Sequence, residues 1–156
     1  MKTLIKTTLT LFLAVLFINA VFAQSNDVRT ITVTGQDNMQ FNKTLIEAEP
    51  GETIRIILEV KSNMPPAAMS HNIAIVDLGV NVEEFVLASM AEPDNEYIAP
   101  SYEDQLIAAT KMIGGGETST IEFTVPENPG DYEYVCTFPG HYFGGMKGVL
   151  RVKESA

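Results

Sequence analysis

The sequence predicts an all-β protein, a sandwich of short strands interrupted by a short helical insertion around residues 81–113. Segments rich in β-branched and aromatic residues recur along the chain between turns that contain proline or glycine. The segment 118–125 alternates most clearly, with Ile121, Phe123 and Val125 on one side and polar residues on the other. Short strands separated by turns at these intervals favour an antiparallel sandwich. The middle of the chain differs, because its apolar residues fall at helical spacing.

The predicted strands follow one another in order along the mature chain. They cover residues 30–34, 53–60, 72–76, 118–125, 132–135 and 148–153. His71 stands at the start of the third strand. The fifth strand runs directly into Cys136, and its alternation places Tyr132, Tyr134 and Cys136 on one face.

The helical insertion is predicted from two capping patterns. Asn81 is a helix N-cap candidate with Glu84 three residues later, and Ser101 with Asp104 repeats the pattern before residues 106–109. The apolar residues after the first cap fall at helical spacing: Val82, Phe85, Val86 and Met90. Glycines 114–116 end the insertion. We expect its apolar residues to cover the sandwich, and we assign them no chemistry.

The N-terminal segment predicts a secretory signal peptide over residues 1–23, which leaves one domain over residues 24–156. Lys2 and Lys6 precede an apolar run at residues 11–18, and small residues at 21–23 offer a cleavage site. The apolar run is too short to span a membrane. A buried or anchoring N-terminal helix is the alternative interpretation of this segment.

Charge and cysteine content narrow the function further. Loss of the two lysines of the signal segment takes the formal net charge from −10 to −12. Such a surface disfavours nucleic acid and anionic membranes, and it either attracts a basic partner or only supports solubility. A secreted chain with one cysteine forms no internal disulfide, so Cys136 is a liability unless it is buried or bound to metal.

A thiol, an imidazole and a thioether lie within eleven residues near the C-terminus. The stretch CTFPGHYFGGM at residues 136–146 contains Cys136, His141 and Met146, and His71 is the remaining histidine of the chain. Thiolate, imidazole and thioether ligands suit copper. Taken singly, the same residues are also typical of a buried apolar cysteine, a hydrogen-bonded histidine and a core methionine. Their combination in one proline- and glycine-shaped loop favours a metal site.

At this point the chain resembles the azurins, within the cupredoxin or type 1 (blue) copper family. The motif CTFPGH at 136–141 carries the resemblance, together with GQDNMQFN at 35–42, MSHN at 69–72 and TKMIGGGE at 110–117. Four residues separate His141 from Met146, whereas azurins have three, and this spacing is more like that of auracyanin and plastocyanin. The azurin disulfide has no counterpart here, and Ser70 stands where azurins typically have glycine.

The resemblance implies an eight-stranded Greek-key sandwich that holds one type 1 copper ion. It implies His71, Cys136 and His141 as in-plane ligands and Met146 as the axial ligand, with the backbone carbonyl of Ser70 as a weak opposite contact. It also implies that two further residues, Asn72 and Thr137, join the two ligand segments by hydrogen bonds. The first of these segments contains His71, and the second is the loop 136–146.

The function that we expect is one-electron transfer between periplasmic redox partners, by a protein that is not an enzyme and is a monomer. The ring edge of His141 is the expected electron port. An apolar rim for docking is expected around it, formed by Phe138, Gly140, Tyr142, Phe143 and Met69. Partners of this class are c-type cytochromes or reductases, and the acidic surface would steer a basic partner.

Three other functions compete with this one. A copper oxidase or nitrite reductase needs a second, histidine-rich centre, for which the chain has no histidines left. A copper storage or delivery protein would bind copper without intense colour or a reversible potential, and the methionines show no Met-x-x-Met cluster. An adhesive sandwich would bind no copper at all.

Overall fold

The computed structural model describes residues 28–154, so the predicted signal segment 1–23 lies outside the described residues. Eleven strands, one α-helix and two 3-10 helices (Pro93–Asn95 and Pro100–Gln105) make up this part of the chain. The strands and the helix are β1 (Arg29–Gln36), β2 (Gln40–Phe41), β3 (Leu45–Ala48), β4 (Thr53–Lys61), β5 (Ser70–His71), β6 (Ala74–Val76), α1 (Val82–Ser89), β7 (Leu106–Ala109), β8 (Ile113–Gly114), β9 (Thr118–Thr124), β10 (Gly130–Val135) and β11 (Lys147–Val152).

The strands form the predicted sandwich. One sheet has the order β2-β1-β4-β9, the other has the order β3-β11-β10-β6-β7, and β5 pairs with β8 in a separate two-stranded ladder. Three strands, β2, β5 and β8, have two residues each, and the other eight match the strand number that the resemblance implies. The sheets are mixed rather than purely antiparallel, because β1 pairs with β4 and β3 pairs with β11 in parallel register.

The core lies between the two sheets and follows the strand alternation. In β4, Ile54, Ile56, Leu58 and Val60 are buried, while the residues between them are partly exposed. Each fully buried aliphatic side chain of this kind contributes about 1.5–3 kcal/mol. From the other sheet, residues such as Leu150 pack into the same core. One face of each sheet is therefore apolar because every second residue of its strands is apolar.

The first half of the insertion forms as predicted. The side-chain oxygen of Asn81 caps α1 by accepting a hydrogen bond from the backbone nitrogen of Glu84 at 3.3 Å. Phe85 and Val86 are fully buried and belong to a second apolar cluster with Val135 of β10. The expectation that apolar residues of the insertion cover the sandwich is therefore confirmed. None of the helices in the described part of the chain combines the length and apolar character that crossing a bilayer requires.

The prediction that residues 106–109 continue the helical insertion is wrong. These residues form β7, which pairs antiparallel with β6, with Ala74 opposite Ala109 and Ile75 opposite Ala108. Without β7, the edge of β6 would present unpaired backbone groups, and pairing with them overrides the weak local preference of an LIAA segment. The helical part of the insertion ends at Gln105, and β8 follows with Ile113 opposite His71.

Candidate metal centre

The loop between β10 and β11 is closed by its own backbone hydrogen bonds. The backbone nitrogen of Cys136 donates to the carbonyl of Met146 at 3.1 Å, and the nitrogen of Met146 donates to the carbonyl of His141 at 3.0 Å. Gly140 and Gly145 adopt φ angles of 85° and 98°, which side-chain-bearing residues rarely adopt. The two ends of the loop therefore meet, and Cys136, His141 and Met146 lie close together.

Three donor atoms converge at this end of the sandwich. The Sγ atom of Cys136 lies 3.5 Å from Nδ1 of His141 and 3.8 Å from Nδ1 of His71, and the two Nδ1 atoms lie 3.1 Å apart. His71 reaches this position from β5, seventy residues earlier in the chain. All three residues are buried, and their donor atoms lie within 4.8 Å of one another. The two ligand segments that the sequence separates are thus adjacent in space.

Burial holds the three groups in their neutral forms. The pKa of His71 is lowered to about 4, first by burial and then by the neighbouring His141, against the carboxylate of Asp37 and the backbone of Gln36. Burial also lowers the pKa of His141. Burial raises the pKa of the Cys136 thiol to about 12. The imidazoles are ready to bind a cation, whereas the thiol has to lose its proton when a metal binds.

Met146 is fully buried beside this cluster, and Gly35 makes room for it. A Cβ atom on Gly35 would lie 2.8 Å from Cδ2 of His71 and 3.1 Å from Cε of Met146. Any side chain at position 35 would therefore press against both residues. Sequence reasoning did not assign this role to Gly35, although a glycine within a strand commonly marks a close approach of this kind.

Asn72 and Thr137 join the two ligand segments, as the resemblance implies. The backbone nitrogen of Thr137 donates to Oδ1 of Asn72 at 2.9 Å, and Nδ2 of Asn72 donates to the Thr137 hydroxyl at 2.8 Å. That hydroxyl also donates to Oδ1 of Asn72, at 3.1 Å. Each residue directly follows a donor residue, so these bonds fix His71 relative to Cys136. Both side chains are fully buried, and removal of either one would leave the other unsatisfied.

Ser70 is buried in β5 directly before His71. Its hydroxyl donates to the carbonyl of Pro66 at 2.7 Å, which fixes the chain as it enters the site. The backbone contact from Ser70 to a metal stays a prediction.

His141 is only 3% exposed, so little of its ring reaches the solvent, and its role as the electron port stays a prediction. The ring of Phe138 packs against it, with ring centroids 4.7 Å apart. Met69, which was expected in the rim, is only 7% exposed. Of the expected rim, Gly140 and Phe143 are exposed, the latter at 54%, while Phe138 and Tyr142 are half-buried. Tyr142 packs edge-on against Phe143. The loop surface is thus apolar, but it covers the histidine rather than presenting it.

The donor set fits copper. One sulfur and two imidazole nitrogens form the described group, with a thioether nearby, and softer ligands of this kind suit copper better than calcium or magnesium. Among the described residues, Nε2 of His71 is the one buried side-chain nitrogen or oxygen without a hydrogen-bond partner. Metal-bound histidines usually donate this second nitrogen to an acceptor, and the nearby backbone of Gln36 offers one.

Known proteins with similar sequences include auracyanin and azurin. The chain is 32% identical to auracyanin-B of Chloroflexus aurantiacus over 136 residues, covering 86% of this chain and 54% of auracyanin-B. It is 31% identical to the azurin of Alcaligenes faecalis over 125 residues, covering 78% of this chain and 96% of that azurin. The chain thus spans only about half the length of the auracyanin and nearly all of the azurin.

Solved structures agree with the sequence comparison. The reduced auracyanin of Roseiflexus castenholzii superimposes with a TM-score of 0.71 and 33% identity, covering 80% of this chain and 97% of the auracyanin. The azurin iso-2 of Methylomonas sp. strain J gives a TM-score of 0.70 at 30% identity, covering 81% and 98%. Residues 28–153 also match the family described as copper binding proteins, plastocyanin/azurin family. The chain therefore belongs to the plastocyanin/azurin family of copper-binding proteins.

Proposed function

We propose that this protein carries single electrons between redox partners in the periplasm, by means of one type 1 copper ion. The observation that supports this proposal best is the convergence of one buried thiol and two buried imidazoles within 4.8 Å. When bound to these donors, copper would supply a one-electron couple between its cuprous and cupric forms.

Nδ1 of His71, Sγ of Cys136 and Nδ1 of His141 would hold the copper ion, and the thioether of Met146 would be a fourth, weaker ligand. The short separations among the first three donor atoms support this assignment. The place of Met146 beside His71 and Gly35 supports its role as the fourth ligand. The carbonyl of Ser70 is proposed as a further weak contact.

The surrounding residues suit electron transfer because they hold the donors still. The bonds between Asn72 and Thr137 fix the spacing of the two ligand segments, and the bond from Met146 to His141 fixes the loop. Complete burial of His71 and Cys136 excludes water. A site that moves little between two charge states needs little rearrangement for each transfer, because its environment is already organised.

The proposed docking surface is the apolar face of the loop, formed by Phe138, Tyr142 and Phe143 over His141. Because His141 is buried, an electron would reach it through its cover, and Phe138 is in direct contact with its ring. Transient redox complexes bury small areas, so a patch of this size is sufficient. We propose that the protein docks as a monomer.

The partner proposed for this surface is a basic redox protein, such as a c-type cytochrome or a reductase. Between Lys61 and Lys111 the chain carries eight acidic residues and neither lysine nor arginine. The insertion contributes to this acidic region and also contacts the loop, since the ring of Tyr97 packs against that of Phe138 at 5.6 Å. Complementary charge raises the rate of encounter and lowers it again at high salt.

The periplasmic location rests on the predicted signal segment, residues 1–23, whose removal would release the domain 24–156. An enzymatic role is disfavoured by the ligand inventory. The whole chain has two histidines, and both belong to the candidate centre, so a second copper site of the oxidase or reductase type would lack imidazole ligands.

The proposal is tested by loading purified protein, residues 24–156, with cupric ion. We expect one copper per chain, an intense blue absorption that is bleached by reductant, and a reversible potential in cyclic voltammetry. Colourless binding without a reversible wave would indicate storage or delivery instead. Copper at background level would exclude every function that depends on this metal.

The axial assignment is tested by Met146→Leu, with Met90→Leu in the insertion as a matched control. Met146→Leu should keep the blue colour and raise the reduction potential, because a weaker axial ligand favours the cuprous form. Met90→Leu should change neither. An unchanged or lower potential in Met146→Leu would remove Met146 from the ligand set.

A further inference from the structure

A strained turn in the insertion lies beside the candidate metal centre. Glu96 and Tyr97 both adopt a φ of 56°, and Met39 is the other non-glycine residue with positive φ among the described residues. Residues with side chains rarely adopt such angles, and they keep them only where the surroundings enforce them. Here the backbone nitrogen of Tyr97 donates to the carbonyl of Glu92 at 3.0 Å, and Nδ2 of Asn95 donates to the carbonyl of Ile98 at 2.7 Å.

The turn contacts the first ligand segment through Glu96. The backbone carbonyl of Glu96 accepts a hydrogen bond from Nδ2 of Asn72 at 3.3 Å, directly after His71. The carboxylate of Glu96 accepts a hydrogen bond from the backbone nitrogen of Met112 at 2.7 Å. Met112 precedes Ile113, which pairs with His71 across the β5–β8 ladder. Glu96 is thereby connected to both strands of the ladder that carries His71.

The turn contacts the second ligand segment through Tyr97. The ring of Tyr97 packs on Phe138 with centroids 5.6 Å apart and planes tilted by 54°. Phe138 in turn packs on His141 at 4.7 Å, with a tilt of 41°. The three rings form a continuous row from the half-buried Tyr97 to the buried histidine.

From these contacts we propose that Tyr97 is a positioning residue of the metal centre. Its ring presses Phe138 against His141, which orients the imidazole and keeps water from the donors. The left-handed backbone of the Glu96–Tyr97 turn is what aims the ring at the loop, and the bonds from Glu96 anchor the turn to the strands beside His71. This role rests on the proposed copper site but concerns residues outside the ligand set.

Tyr102 provides a matched control within the same insertion. It is also a half-buried tyrosine, and its ring packs on Phe85 with centroids 5.5 Å apart and a tilt of 59°. Tyr102 belongs to the apolar cluster under α1 rather than to the row of rings at the metal centre. Loss of its ring therefore reports the general effect of removing one aromatic pair from the insertion.

The first experiment uses metal-free protein and measures how fast a thiol reagent alkylates Cys136. Cys136 is fully buried, so the reaction requires a local opening of its cover. We expect Tyr97→Leu to accelerate alkylation by about fivefold to tenfold, as for loss of one aromatic pair, and Tyr102→Leu to leave the rate near that of the unaltered protein. Tyr97→Phe, which keeps the ring, should restore the slow rate.

The second experiment uses copper-loaded protein. Tyr97→Leu should release copper faster to a chelator and lower the reduction potential, because water that reaches the centre stabilises the more highly charged cupric form. Tyr97→Phe and Tyr102→Leu should match the unaltered protein. In a Phe138→Leu background, Tyr97→Leu should add little further change, because Tyr97 acts through Phe138.

The outcomes separate this role from the proposed function. If the unaltered protein binds no copper, the proposed function fails, while the alkylation experiment still decides the contact of Tyr97 with the loop. If the unaltered protein is blue and Tyr97→Leu behaves as Tyr102→Leu does, the positioning role is refuted. Should Tyr97→Leu fail to fold, Tyr97→Asn replaces it, because asparagine tolerates left-handed backbone angles better. The same increases are expected of it, and their absence would refute the role equally.

Discussion

The two ends of the sandwich differ in the charge and burial of their titratable groups. At one end of β1, next to Gly35, three titratable groups are buried and neutral: His71, Cys136 and His141. At the other end of the same strand, Arg29 pairs with Glu52 and also donates to the carbonyl of Glu47, and Lys153 pairs with Glu49 at 2.9 Å. These charges are exposed or half-exposed.

The first set of groups belongs to the candidate metal centre, whereas the second set contributes only to the stability of the fold. Exposed ion pairs contribute about 0–1 kcal/mol each, so the charged end can vary at little cost. Buried donors without full hydrogen bonding are unfavourable in the metal-free protein, and Nε2 of His71 is such a group. A metal ion bound to Nδ1 of His71 would keep the proton on Nε2, and the nearby backbone of Gln36 could then accept a hydrogen bond from it. Changes at the metal end should therefore alter both copper binding and stability, whereas changes at the charged end should alter stability alone, and slightly.

The largest effect is expected from Cys136→Ala, which removes the sulfur donor and leaves the two imidazoles. The blue absorption should be lost completely, because the colour depends on the thiolate. The metal-free variant should stay folded, since alanine at a buried apolar position removes little volume. Visible absorption and circular dichroism measure the two properties. A blue Cys136→Ala protein would show that the copper binds elsewhere, and it would contradict the distinction between a metal-binding end and a charged end.

The second effect in size is expected from Gly35→Ala. The added Cβ would lie 2.8 Å from Cδ2 of His71, and overpacking of this kind costs about 1–3 kcal/mol. We expect a lower unfolding midpoint in urea and a shifted visible spectrum. Gly130→Ala is the control, because the three atoms nearest to its added Cβ all belong to the side chain of the half-exposed Leu78, which can move away. Equal spectra for the unaltered protein and Gly35→Ala would show that Gly35 does not constrain the site.

The third prediction concerns pH, and it distinguishes the two ends by the pH range in which each loses stability. Burial lowers the pKa of His71 from 6.5 to about 4, so the unfolded chain binds a proton first as the pH falls. The metal-free protein should therefore lose stability between pH 6.5 and 4. The pKa of Glu52 is lowered from 4.5, mainly by its hydrogen bond from Arg29, so the charged end should lose stability only below pH 4.5.

Thermal unfolding of metal-free protein across this pH range measures both effects. His71→Gln should flatten the curve in part between pH 6.5 and 4, because burial also lowers the pKa of the remaining His141. Glu52→Gln should flatten it only at lower pH. If His71→Gln left the range between pH 6.5 and 4 unchanged, the burial of His71 would not be a source of the pH dependence.

The smallest effect is expected from Arg29→Met, which removes the cation at the charged end but keeps an apolar side chain of similar length. The free energy of unfolding should fall by less than about 1 kcal/mol, and high salt should reduce the difference. The copper spectrum and potential should not change. A shifted potential in Arg29→Met would show that the two ends are coupled.

The sequence predicts those parts of the molecule that depend on local pattern. Alternation located β9 and β10, because one buried face imposes a period of two, and β-branched composition after a turn located β4. The candidate metal centre was predicted because a rare combination of residue types falls in one loop, and the structure brings His71 to that loop. The bonds between Asn72 and Thr137 followed from the resemblance, and the structure contains them.

The sequence does not predict those features that arise from distant pairing. The parallel pairs β1–β4 and β3–β11 join segments across intervening turns, and β7 is a strand only because β6 offers it an edge. The burial of His141 depends on Phe138 folding over it. The left-handed angles of Glu96 and Tyr97 have no local signal, since neither residue type favours them.

X-ray absorption spectroscopy at the copper edge of the loaded protein tests the central claim most directly. The claim is that Cys136, His71 and His141 surround one copper ion at the buried end of the sandwich. We predict one short sulfur neighbour and two imidazole nitrogen neighbours, with the sulfur absent in Cys136→Ala. A first shell of oxygen and nitrogen atoms without short sulfur, in a protein that has bound one copper ion, would contradict the claim.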